Sequence, residues 1–217
     1  MDGTSVTFSD EVKSLGVTLD SALTLSSHVT NIVCSCNYHN QGLLHIRHLI
    51  EDNDASAIAK ALVLSRLDYC NALFASTTAA NLHRLQRVQN FAARVVTRSP
   101  RRTPHLQLLT KLHWLPVQQR IEYKISSTVF KARSNNAPVY IVDLISDYVP
   151  SRSLRSADTS LLLVKRRRTE FSRRAFTHCA PEIWNRLPVT IRTEPNPLSF
   201  HKLLKTYLMN SISCNSQ

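Results

Sequence analysis

The chain has 217 residues, with 27 Lys and Arg against 15 Asp and Glu, a formal net charge of +12. Hydrophobic residues make up 43%, enough for a packed core and too many for a wholly disordered chain. Glycine occurs only at Gly3, Gly16 and Gly42, which excludes clustered-glycine phosphate loops, dinucleotide-binding turns and a G-x-S-x-G nucleophile elbow.

A fold does not need so large a cationic excess. It points to a polyanionic partner, nucleic acid before an anionic membrane. Cys34, Cys36, Cys70, Cys179 and Cys214 form an odd, irregular set, unlike a disulfide framework. The polar, acidic start does not resemble a signal peptide. No apolar run approaches the roughly 18 residues of a membrane span, and no N-x-[ST] sequon occurs. These features predict an intracellular protein, nuclear or cytoplasmic, not secreted and without a membrane partner.

In chain order, Val12, Leu15, Val17 and Leu19 alternate loosely around Gly16 and predict one or two short strands. Ser26 or Ser27 is the expected cap of a helix to about residue 50, with Val29, Ile32, Val33 and Cys36 as its apolar stripe. The Asp52-Asn53-Asp54 cluster predicts the cap of a second helix, about 55–70, with Ile58, Leu62 and Leu64 apolar. Thr77 or Thr78 opens a third, to about Arg98, stopped by Pro100. Thr103-Pro104 and Leu115-Pro116 each place proline where a helix begins, predicting a short helix and then a longer one over 116–133. The longer helix has a core stripe of Ile121, Ile125, Val129 and Ala132. Pro138 opens another short helix to Ile145. Residues 151–160 read as a polar linker, Leu161–Val164 as a strand, and Asn196-Pro197 as the start of a last helix with Leu198, Leu204 and Leu208 apolar.

Between Asp68 and Glu122 there is no acidic residue, while Arg84, Arg87, Arg94, Arg98, Arg101, Arg102, Lys111 and Arg120 all fall there. At about 100° per residue, Arg98, Arg87 and Arg94 lie at about 320°, 300° and 280° from Arg84, opposite Leu82, Leu85, Ala92, Ala93 and Val96. The arginines therefore share one arc of a helix, bordered by His83 and Phe91. With no acid to balance it, such a row repels itself unless a partner screens it. Phosphates are the expected partner, against the plainer reading of a solvated face. Lys165, Arg166, Arg167 and Arg168, with Arg173 and Arg174, form a second cluster: further backbone contact, an import signal, or an exposed loop.

Other chemistry is poorly supported. Glu51, Asp52 and Asp54 suit a helix start better than a metal pair. Cys34-x-Cys36 lacks a second ligand pair, and His45 with His48 lacks a third ligand, so no metal or other cofactor is expected. Trp114 and Trp184 read as packing anchors. No catalytic residue and no small-molecule substrate are assigned.

The stretch Ser65-Arg66-Leu67-Asp68-Tyr69-Cys70-Asn71 carries a resemblance. So do Arg84-Leu85-Gln86-Arg87-Val88-Gln89-Asn90, Leu112-His113-Trp114-Leu115-Pro116-Val117 and Ala180-Pro181-Glu182-Ile183-Trp184-Asn185-Arg186-Leu187-Pro188. In order and spacing these segments resemble the C-terminal region of LINE-type, non-LTR retrotransposon reverse transcriptases, over about 12–209. Val12-Lys13-Ser14-Leu15-Gly16-Val17 resembles the end of their palm, and the later helices resemble the thumb and the region beyond.

The resemblance implies a mainly α fold: a thumb-like helical bundle with a short N-terminal β element and a small mixed C-terminal lobe. The implied division is 1–27 for the palm end, 28–150 for the thumb and 151–217 for a basic loop and closing lobe. It implies descent from an RNA-directed DNA polymerase, yet the family's aromatic-Ala-Asp-Asp motif has no counterpart here. The expectation is therefore a non-catalytic remnant that binds RNA or DNA backbone through Arg84, Arg87, Arg94 and Arg98. The alternatives are a protein-interaction scaffold that self-associates or binds a partner through the surface facing the absent palm, and a translated fragment with no selected role.

Overall fold

A computed structural model describes residues 9–134, 136–150, 160–169, 172 and 175–214. The described chain is mainly helical, with one small two-stranded sheet, as the sequence predicts. It divides into two compact units. The first holds residues up to Cys70 together with Thr77–His105, and the second holds Asn71–Ser76 and everything from Leu106 onward.

The first unit opens with β1 (Glu11–Ser14) and β2 (Val17–Asp20), paired antiparallel with Ser14 opposite Val17. Leu15 and Gly16 form the two-residue turn at φ 47° and 81°. Two consecutive positive φ values match the right-handed twist of a hairpin, and glycine supplies the second without strain. Tyr69 braces the turn by donating its hydroxyl to the Leu15 carbonyl at 2.6 Å.

α1 (Ser26–Ile46) is not capped by Ser26 or Ser27 as expected. The chain instead turns at Leu25, φ 63°, and the Asp20 carboxylate accepts from the Thr24 and Leu25 N–H groups at 2.9 and 2.8 Å. A side chain at the end of β2 thus organises the helix entry. α1 also stops at Ile46, short of residue 50.

The next helix starts earlier than expected and changes pitch. It runs as α2 (Asp52–Ala59), a π-helical turn (Lys60–Leu64) and α3 (Ser65–Asp68). The wide turn shifts the buried stripe, so Val63, Leu64 and Leu67 are buried while the apolar Leu62 is 38% exposed. Glu51 sits at the N-cap without a side-chain capping bond, so the acidic cluster does not cap as expected. Asp52 pairs instead with Arg47.

α4 (Ala79–Thr97) starts as predicted, with the Thr78 hydroxyl accepting from Asn81 N–H at 3.3 Å. It packs along α1. The pairing is parallel: Asn81 bonds Ser26, Arg84 bonds Thr30, Asn40 bonds the Val88 carbonyl, and Arg47 bonds the Val95 and Val96 carbonyls. Leu85, Val88, Ala92, Ala93, Val95 and Val96 are buried, opposite the arginine arc.

The second unit contains a 3-10 turn (Asn71–Ser76) and α5 (His105–Lys111), whose first residue belongs to the first unit. α6 (Val117–Arg133) begins after Pro116 and buries its predicted stripe of Ile121, Ile125, Val129 and Ala132. The 3-10 turn, α8 (Phe176–Asn185) and α10 (Pro197–Cys214) pack on α6. Phe130 stacks on Phe200 at 4.1 Å between ring centres, and the buried Trp184 stacks on Phe200 at 6.0 Å. Each such aromatic burial contributes a few kcal/mol, about 1.5–3 by area with a smaller stacking increment.

α7 (Val139–Val142) is shorter than predicted, and α9 (Val189–Arg192) follows Pro188. Leu161–Val164 is not a strand. Leu162 makes an isolated bridge with Asp147, and Asn185 takes both Leu162 backbone groups at 2.9 and 2.8 Å, replacing a second strand with one amide side chain. Leu198 is 83% exposed, whereas Leu204 and Leu208 are buried. Asn196 caps α10 by accepting from Leu198 and Ser199 N–H.

Candidate nucleic-acid interface

Because α1 and α4 run parallel and in contact, the row Val33, Asn37, Gln41 on α1 faces the Arg84, Arg87, Phe91, Arg94 row on α4. Between them lies a groove of about 750 Å³, also edged by His83 and Asn90, with no carboxylate in its lining. Three of the predicted arginines therefore converge on one concave surface within the first unit.

Their environments differ. Arg87 is exposed at the rim. Arg84 is half-buried and donates to the Thr30 hydroxyl at 2.8 Å, which points its guanidinium across to α1. Arg94 is half-buried, and its Nε is fully buried with no hydrogen-bond partner among the described residues. A buried, unsatisfied donor costs about 1–3 kcal/mol, more when charged, so Arg94 is the group in the groove most in need of an acceptor.

Arg98 departs from the row. It takes the left-handed position that ends α4, φ 50°, and its guanidinium donates to the Arg47 and Ile50 carbonyls at 3.2 and 3.0 Å. It tethers the helix end instead of lining the groove. Arg101 and Arg102 are exposed in the turn that follows.

In the second unit, Lys165, Arg166 and Arg168 are exposed. Arg167 is half-buried, donates to the Thr177 hydroxyl at 3.1 Å and has a buried Nε with no hydrogen-bond partner among the described residues. Arg173 and Arg174 lie outside the described residues.

Several polar groups were not singled out from the sequence. Asn37, Gln41 and Asn90 line the groove. Asn37 and Gln41 stand one helical turn apart after Val33, a spacing visible in the sequence. Their role shows only once α1 is set beside α4. Arg47, only 4% exposed, was missed entirely.

A second concavity, of about 790 Å³, lies under the hairpin and is lined by Lys13, Thr18, Asn31, Ser35, Arg66 and Tyr69 among others. Its arginine is already engaged, donating to Ser35 Oγ at 2.9 Å and the Leu62 carbonyl at 2.7 Å. That makes it the weaker anion site of the two.

Cys36 is buried with its Sγ toward the Val63 carbonyl, and burial pushes its thiol up to about 11. Burial does the same to Cys179. Neither is a ready thiolate at neutral pH. Among the described residues, no three His, Cys, Asp or Glu side chains gather as a metal site, and no helix is long and apolar enough to cross a membrane. No family model, curated protein or solved structure matches the chain.

Proposed function

We propose that the chain binds the backbone of RNA or DNA through the α1–α4 groove, as a non-catalytic relative of the thumb of non-LTR retrotransposon reverse transcriptases. The observation that carries this reading is the convergence of Arg84, Arg87 and Arg94 on one acid-free groove, with the Arg94 Nε unsatisfied. Phosphate oxygens supply acceptors and negative charge together, and neutralising them releases condensed counterions. The position of Arg84 and Arg87 in a segment that resembles the thumb supports the same reading. Phe91, half-buried at the groove, offers a face for base stacking.

The test is binding of labelled RNA and DNA by the full chain and by a variant with Arg84, Arg87 and Arg94 changed to Gln. The variant is expected to bind at least about tenfold more weakly at moderate salt while keeping the helical content of the parent. Unchanged affinity refutes the reading. Primer extension with magnesium is expected to give no product.

A further inference from the structure

The lining of the groove contains more than phosphate chemistry. Phosphate oxygens only accept hydrogen bonds, and a site built for them alone would be lined with donors. Asn37 and Gln41 also carry carbonyl acceptors, and neither makes a side-chain hydrogen bond to any described residue. Asn90 holds its Oδ1 against Gln86 Nε2 at 2.8 Å, which leaves its amide N–H groups to the groove. Donors and acceptors together match the edge of a base, where Asn and Gln recognise paired donor and acceptor groups and Arg recognises N7.

The shape selects an unpaired base. A protein reads duplex edges by inserting a convex element, a helix or ribbon, into a groove of the nucleic acid. A furrow between two helices about 8–10 Å apart is the opposite shape, and it receives a base splayed out of a single strand. Phe91 supplies an aromatic face beside it. Arg94 lines it as well, and its guanidinium makes no hydrogen bond to a described residue. Pyrimidines also carry acceptors, but only purines present N7 beside an exocyclic group on one edge, the pair that arginine and amide side chains take together.

We propose that the groove is a pocket for one unpaired purine of a single strand. Arg94 donates to N7, the Asn37 and Gln41 amides read the exocyclic group, and Arg84 and Arg87 hold the flanking phosphate. This rests on the nucleic-acid reading above and adds a base preference to it.

The test compares short labelled pyrimidine strands that carry at the centre a pyrimidine, an adenine, a guanine or 7-deazaadenine. The unaltered full chain is titrated by fluorescence anisotropy at one salt concentration. A strand with adenine or guanine is expected to bind about tenfold tighter than the all-pyrimidine strand. The tighter of the two identifies the exocyclic group that the amides read. Replacing N7 by carbon is expected to return the adenine strand to the pyrimidine level. Arg94→Lys, which keeps the charge, is expected to abolish the purine preference, bringing the adenine and guanine strands to the affinity that this variant shows for the all-pyrimidine strand. Equal affinity for all four strands overturns the purine pocket and leaves backbone binding standing. No binding of any strand overturns both.

Discussion

At the scale of single residues, the arginines divide into those that build the fold and those that face outward. Arg47 is the clearest builder. Its Nε donates to the Val95 carbonyl at 3.1 Å and its Nη2 to Val96 at 2.8 Å, two acceptors at the open end of α4. Its Nη1 reaches the Ile50 carbonyl at 2.7 Å, and Nη2 also pairs with Asp52. One buried guanidinium thus joins the ends of α1 and α4 to the start of α2. Truncating it to Met leaves the Val96 carbonyl without a donor, at about 1–3 kcal/mol if water cannot reach it, and takes one of two donors from the Val95 and Ile50 carbonyls, which Arg98 still reaches. Arg47→Met is expected to lower the unfolding free energy by about 2–4 kcal/mol in urea titrations. Arg47→Lys is expected to recover less than half, since an ammonium lacks the planar fork. A loss below about 1 kcal/mol would contradict this role. The sequence hides Arg47 because it sits between the exposed His45, Ile46 and His48 and looks like one more surface cation. Only the return of α4, about fifty residues later, buries it.

At the scale of elements, starts written in adjacent residues were legible and starts supplied from a distance were not. Thr78, Pro116 and Asn196 open α4, α6 and α10 as read from the sequence, because cap and helix are neighbours in the chain. The α1 entry depends on Asp20, whose carboxyl is held below its usual 3.8 first by the Thr24 N–H, with the Leu25 N–H and Thr24 hydroxyl adding to it. The π turn at Lys60–Leu64 and the Asn185 clamp on Leu162 likewise come from packing that local propensity does not encode. The Asp20 entry makes a pH prediction. A carboxylate with a depressed folded pKa stabilises in full above its unfolded pKa, and that stabilisation is lost as pH falls through the lowered value. Asp20→Ala is therefore expected to melt at a lower temperature than the parent at neutral pH. The gap should narrow once pH drops below 3.8. Thermal melts from neutral pH to the acid limit check this, and a gap constant with pH would remove Asp20 from the role.

At the scale of the whole molecule, the net charge of +12 says that an anion is favoured but not where it binds. Several cations are committed internally. Arg66 bonds Ser35 and Leu62, and Arg98 ties down the α1–α2 turn. Arg133 pairs with Asp147 at 2.8 Å and lies over Trp184, while Arg192 bonds the Leu187 carbonyl. Among the outward cations, which also include Arg101, Arg102 and scattered lysines, two clusters stand out, one in each unit: the groove arginines and the Lys165–Arg168 segment. The arc of Arg84, Arg87 and Arg94 was legible from helical periodicity, whereas the amide row opposite required the parallel pairing of helices far apart in sequence. The two sets differ in preorganisation. Arg84 is positioned by Thr30 and Arg94 by burial, whereas Lys165, Arg166 and Arg168 are exposed. Positioned cations lose less conformational entropy on binding and should contribute more per charge. Binding to a single strand loses about 0.7 in log–log salt slope for each phosphate contact removed. Changing Arg84 and Arg87 to Gln is therefore expected to flatten the slope by about 1.4 and weaken affinity more than tenfold. Changing Lys165, Arg166 and Arg168 to Gln removes one more charge, yet is expected to flatten the slope by less than about 0.7. The reverse order would move the interface to the second unit, and equal small effects from both would mean that the charge acts only as a diffuse field.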